Sequence, residues 1–139
     1  MPHLWMEYSD NLESHVDVDA LLDDVHREVV ADGVFPLAGL RTRAVPVRRY
    51  RIADVHPDNV FVHFVLRTLP GRDPEVKKAS TDRLFAAILA RFKPLSDRLP
   101  IAISMHVEEA SPDLGYRVST YRQHMAARAA AGAAGAQPA

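Results

Sequence analysis

Val60-Phe61-Val62-His63-Phe64-Val65-Leu66 is a run of mostly β-branched and aromatic residues, apolar at every position but His63. Such a run reads as a buried strand. Pro70-Gly71 follows it as a turn. Asp73-Pro74-Glu75 then opens a helix, with aspartate at the cap and proline at the first helical position. Val76, Leu84, Ile88 and Phe92 mark one face of that helix, joined by Phe85, Leu89 and Leu95. Pro100-Ile101-Ala102-Ile103-Ser104-Met105-His106-Val107 reads as the next strand.

The same order stands ahead of this unit. Pro2-His3-Leu4-Trp5-Met6-Glu7-Tyr8 is strand-like, and Ser9-Asp10-Asn11 is turn chemistry. Val18, Leu21, Leu22, Val25 and Val29 recur at helical spacing, with Asp17 or Asp19 as the cap and Gly33 as the stop. A second strand is expected from Leu40 to Tyr50, and Pro46 puts part of it at an edge or a bulge. A shift of 60 residues carries Pro2 onto Val62 and Gly39-Leu40 onto Leu99-Pro100.

Two β-α-β units with helical crossovers imply parallel strand pairs joined right-handedly. The expected fold is α+β: a four-stranded sheet with both helices on one face. It forms a single domain over residues 1–125, with repeats at about 2–58 and 59–121. Leu4, Met6, Phe61, Phe64 and Ile103 offer more apolar strand surface than one helical layer covers, which predicts an apolar open face and self-association. Residues 126–139 are Ala/Gly-rich and read as a flexible tail, with some helix before Gly132.

Bulk properties narrow the class. The chain has 139 residues, 47% of them hydrophobic, and a formal net charge of -1. That balance gives no support to nucleic-acid or membrane-surface binding. It contains no cysteine, which rules out disulfides and thiolate chemistry. Its opening segment lacks a basic n-region, and no stretch has the ~18 apolar residues of a membrane span, so a cytoplasmic location is expected.

Pro2 carries the most specific chemistry. Removal of Met1 would leave a terminal secondary amine. Burial and neighbouring arginines disfavour the ammonium form, so the amine can accept a proton near neutral pH. It can also form an iminium with a carbonyl. Arg41 and Arg43 alternate with Thr42 and so share one side of a strand, and Arg72 sits in the turn before the second helix. Guanidinium groups bind carboxylates in a two-pronged way. Arg48, Arg49 and Arg51 are expected to be solvated or ion-paired. The seven histidines, among them His3, His63 and His106, show no tight metal-ligand spacing, and there is no phosphate loop or nucleophile elbow. No metal or cofactor is expected. Glu108-Glu109 reads as a solvated strand end. Trp5, Phe35 and Phe61 are assigned to core packing.

Pro2, the duplicated β-α-β unit and Gly71-Arg72-Asp73 together resemble the tautomerase superfamily, whose members use an amino-terminal proline. The closer resemblance is to the 5-carboxymethyl-2-hydroxymuconate isomerase family. It rests on Met1-Pro2-His3-Leu4, Glu7-Tyr8-Ser9-Asp10-Asn11, Phe61-Val62-His63, Gly71-Arg72, Glu108-Glu109 and, most specifically, Gly33 to Arg43 with its Phe35-Pro36-Leu37-Ala38-Gly39 core. The resemblance implies a homotrimer and a cofactor-free proton shift in a tricarboxylate dienol formed during homoprotocatechuate breakdown. It implies Pro2, Arg41 and Arg72 as catalytic residues, with Arg43 and His3 binding substrate. Because Val62, Ile101 and Ile103 replace the proline and strand arginines in the second repeat, it also implies one site per chain.

Two other readings stay open. One is a different enzyme on the same scaffold, a hydratase, dehalogenase or decarboxylase of a small unsaturated acid, with Glu7, His3 or Tyr8 activating water. The other is a non-enzymatic assembly module in which Pro2 is incidental.

Overall fold

The computed structural model describes residues 2–135. Its elements run in the order β1 (His3–Ser9), α1 (Val18–Asp32), β2 (Arg41–Val47), β3 (Val60–Thr68), α2 (Pro74–Ser96), β4 (Ile101–Glu109) and α3 (Tyr121–Gly135), with short 3-10 turns at Asp10–Ser14 and Leu37–Gly39. The four strands form one sheet in the order β2-β1-β3-β4. Each crossover pair is parallel, β1 with β2 and β3 with β4. The two units meet through the antiparallel pairing of β1 with β3.

Local chemistry sets the helix limits as expected. Asp17 caps α1 by accepting from the Ala20 amide at 3.1 Å, and Gly33 ends it in the left-handed region at φ 72°. Asp73 caps α2 by accepting from the Glu75 and Val76 amides at 2.9 and 3.1 Å. The second strand stops at Val47 rather than Tyr50, because its partner β1 ends at Ser9. As the outer strand, β2 tolerates the missing amide of Pro46.

The core lies between the sheet and α1 and α2. Leu4, Met6, Val60, Val62, Phe64 and Leu66 meet Leu21, Val25 and Val29 of α1 and Leu84, Ile88, Phe92 and Leu95 of α2. The Phe64 and Phe92 rings meet edge to face at 6.3 Å. Val76 and Leu89, expected on the packed face of α2, are exposed at 50% and 43%, Val76 in the helix's first turn and Leu89 beside the Leu84-Ile88-Phe92-Leu95 stripe.

The opposite sheet face differs from the expectation. Strand residues alternate between faces. The even-numbered Leu4, Met6 and Phe64 are therefore buried under the helices, and Ile103, paired with Val62, sits on the same side. Of the expected apolar set only Phe61 faces the open side. That face is mixed. Trp5, half-exposed rather than in the core, is flanked by the Arg43 and Arg67 guanidiniums at 4.7 and 5.1 Å from its ring centroid. His63 bonds Ser104 at 2.7 Å and meets the His106 ring at 5.1 Å, and Arg67 donates to Glu108 at 2.9 Å.

The segment from Ala126, expected as a flexible tail with some helix before Gly132, is helical as far as Gly135. Alanine is the strongest helix former, so its low complexity does not exclude a helix. Residues 136–139 lie outside the described residues. Among the described residues, no helix is long and apolar enough to cross a membrane.

Two stability outcomes follow. Asp32, at the end of α1, accepts from the buried Ser80 hydroxyl and from Arg83 Nε at 2.8 Å, clasping α1 to α2. Burial alone would raise its carboxyl pKa, but the Ser80 and Arg83 bonds overcome it and hold the group below its usual value. A depressed folded pKa stabilises the fold above the unfolded value of ~3.9 and is lost as pH falls through the folded value. The gap in urea midpoint between wild type and Asp32→Asn should therefore be full above pH ~5 and shrink as pH falls below the unfolded value of ~3.9. Val55 is 59% exposed yet held at φ 64°, where a β-branched residue is strained. Val55→Gly should raise stability by about 1 kcal/mol, read as a higher urea midpoint.

Candidate active site

β1 is hydrogen-bonded along both edges, so its first residues cannot fray. The Pro2 carbonyl accepts from the Arg41 amide at 3.1 Å, which extends the β1–β2 ladder to the proline. Pro2 is buried at this end of the sheet. It opens onto a cavity of about 450 Å³, the size of a small-ligand site.

Three segments complete the walls. Pro36, Ala38 and Gly39 come from the tight turn between α1 and β2, closed by the Gly39 amide on the Pro36 carbonyl at 2.8 Å. Leu69 and Arg72 come from the turn between β3 and α2. Arg117, Ser119 and Arg122 come from the segment after β4 and the start of α3. The Phe35-to-Gly39 motif thus has a physical role: its small residues leave room beside Pro2, and Phe35 beneath them is 3% exposed.

Arg72 is aimed by its surroundings. Its guanidinium lies 4.8 Å from the Phe35 ring centroid, Nε donates to the Val34 carbonyl at 3.4 Å, and Nη1 reaches the Leu69 carbonyl at 3.5 Å. These contacts hold the planar group without neutralising it.

The structure brings Pro2 and Arg72 together and places the other candidates elsewhere. Arg41 lines a neighbouring depression with Val118, Ser119, Thr120 and Tyr121. Its guanidinium stacks 4.8 Å from the Tyr121 ring centroid and donates to the Gly39 carbonyl. His3 and Arg43 lie side by side on the open sheet face, with Arg43 Nη1 3.4 Å from His3 Nδ1, outside this cavity. Burial, then the Arg43 and Arg41 charges, lower the His3 pKa, so its ring is neutral at pH 7. Arg117, Ser119 and Arg122 were missed, because they follow the last strand without periodicity; the pair of arginines ahead of an Ala-rich helix was the one available signal.

The three residues considered as water activators do not reach the cavity. Tyr8 donates to Glu13 at 2.7 Å, and burial together with that bond pushes its hydroxyl up to about 12. Glu7 and His3 point to the open face. No group of three or more His, Cys, Asp or Glu able to hold a metal occurs among the described residues.

A doubled β-α-β sheet with a proline at the start of its inner strand, set in an arginine-lined cavity, defines a tautomerase-fold protein. The structure of a fused 4-OT wild-type symmetric trimer matches it with a TM-score of 0.58 at 18% identity, covering 84% of this chain and 94% of that one, a likeness of fold. The family model described as 5-carboxymethyl-2-hydroxymuconate isomerase matches residues 2–125. The 5-carboxymethyl-2-hydroxymuconate Delta-isomerase of Escherichia coli is 34% identical over 117 residues, 84% of this chain and 93% of that protein. A crystal structure of a 5-carboxymethyl-2-hydroxymuconate isomerase from Deinococcus radiodurans R1 is 31% identical with a TM-score of 0.80, covering 89% of this chain and 93% of that one. The chain belongs to the 5-carboxymethyl-2-hydroxymuconate isomerase family and is an isomerase.

Arg72→Ala should lower kcat/KM by roughly 10²–10³-fold, the usual loss when an electrostatic donor is removed from a site. Arg72→Lys should recover only a small part, since an ammonium cannot stack on Phe35 while presenting a fork of donors. Steady-state kinetics on variants with unchanged circular dichroism check this; wild-type rates in the lysine variant would mean that charge alone matters.

Proposed function

We propose that this isomerase shifts a proton in 5-carboxymethyl-2-hydroxymuconate, with the Pro2 amine as the base and acid. The observation that carries the proposal is the cavity's composition. It joins a buried proline at the chain's start to Arg72, Arg117 and Arg122, with no carboxylate in its lining. One amine suffices for the chemistry. It takes the proton from the 2-hydroxyl as the dienol electrons move toward C-5, then returns a proton to C-5 and leaves the 2-oxo-3-ene product. The atoms balance with no metal, cofactor or co-reactant. Arg72 neutralises a carboxylate and stabilises charge growing on the 2-oxygen. Arg41 lies outside the lining and acts on it through its stack on Tyr121. The base exists only in a chain that begins at Pro2, so removal of Met1 is part of the proposal.

The assembly follows as a further part of it: a cytoplasmic homotrimer. The open sheet face is left uncovered by the chain's own helices. Leu114, Tyr116 and Val118, in the segment after β4, are exposed at 77%, 95% and 94%. Both features suit burial between copies. On this view His3 and Arg43 belong to the subunit contact and support the site from there. A hydratase-like activity is less well supported, since Glu7, His3 and Tyr8 all lie outside the cavity.

A UV time course of 5-carboxymethyl-2-hydroxymuconate conversion, with protein confirmed by mass to start at Pro2, tests the proposal. Rapid loss of the dienol band is expected. Pro2→Ala should lower kcat/KM by roughly 10²–10⁴-fold, the range of general acid–base contributions. Protein that keeps Met1 should be inactive, because its proline nitrogen is an amide. Wild-type turnover in either form would remove Pro2 from the mechanism.

A further inference from the structure

We propose that the segment after β4, through Arg117 and Arg122, forms the carboxylate-selecting wall of the Pro2 cavity. It sets a preference for tricarboxylates over dicarboxylates. This rests on the isomerase reading of the cavity and assigns a role to residues outside the Pro2–Arg72 pair.

The backbone of the segment explains how it reaches the site. The Ala110 amide donates to the Thr68 carbonyl at 2.8 Å, tying the segment's start to the end of β3. The chain then crosses to the tight turn at Leu37–Gly39, against which α3 packs. Between these anchors Leu114, Tyr116 and Val118 are exposed, while Arg117 and Ser119 line the cavity. The stack of Arg41 on Tyr121 pins the far end, and the first turn of α3 adds Arg122 to the same wall. Arg41 is thus a positioning residue for this wall.

Electrostatics then select the ligand. Most basic side chains on α1, α2 and β3 have acidic partners: Arg27 and Arg91 with Asp24, Arg67 with Glu108, Lys77 with Glu109, Lys78 with Asp82, Arg83 with Asp32 and Lys93 with Asp97. None of the ion pairs among the described residues involves Arg72, Arg117 or Arg122. Three guanidiniums around one cavity repel each other unless anions fill it. A chain of net charge -1 could have supplied acidic partners and here does not. Arg72, Arg117 and Arg122 give the lining three guanidiniums, which suits a ligand that carries three carboxylates.

Calorimetric titration with propane-1,2,3-tricarboxylate and with glutarate, at low ionic strength, tests this without turnover. Wild-type protein should bind the tricarboxylate roughly tenfold tighter, the worth of one more charge-assisted contact. In the Arg117→Gln/Arg122→Gln variant that ratio should fall to near one, with each single variant between. Arg117→Lys/Arg122→Lys should retain part of the preference, which a merely structural role would not produce. In turnover, the loss should fall on KM rather than kcat. An unchanged ratio in the double glutamine variant, or no preference in wild type, would overturn the proposal. A preference that is lost in the variant while wild type fails to convert 5-carboxymethyl-2-hydroxymuconate would overturn the substrate assignment alone.

Discussion

The pairing of β1 on both of its edges is the constraint on which the rest depends. The first residues of a chain ordinarily fray unless they are tied into a sheet or a helix. Here the first strand is an inner strand, parallel to β2 and antiparallel to β3. The ladder reaches Pro2 itself through the Arg41 amide. The same pairing fuses the two β-α-β units and fixes which side chains face the helices. Loss of register by one residue would move Leu4 and Met6 out of the core and carry the proline away from its cavity.

Charge placement is the second organising feature. The protein is nearly neutral overall, so its positive cavity arises from where the acids are absent rather than from an excess of bases. Arginine suits this task better than lysine. Its planar group can be held by a ring and by carbonyl oxygens while its remaining donors stay free. Arg72 is held by Phe35, Val34 and Leu69 in this way, and Arg41 by Tyr121 and Gly39. Preorganised donors of this kind stabilise developing charge without reorganising during the reaction.

Much of the fold was legible in the chain because its signals are local. Asp17, Gly33, Asp73 and Pro74 mark helix ends by their own chemistry, and the Val60–Leu66 run reads as a largely buried strand. The open sheet face was misjudged for a reason that is equally physical. Alternation decides which apolar residues are spare, and the expected set mixed the two parities. The Ala-rich segment, read with some helix before Gly132, is helical to Gly135, since alanine itself favours helix.

The amino-acid sequence by itself determined the duplicated β-α-β plan, the proline that can become a terminal amine, and Arg72 in the turn before the second helix. These depend on short-range pattern and on residue identity. Only the tertiary structure decided which arginines converge. Arg41 and Arg43 share a strand face, yet that face is not the cavity, while Arg117 and Arg122 reach it from residues far along the chain. The physical reason is that a site is made of contacts between distant segments. Their meeting depends on strand order and on the path of the segment after β4, neither of which leaves a periodic trace in the sequence.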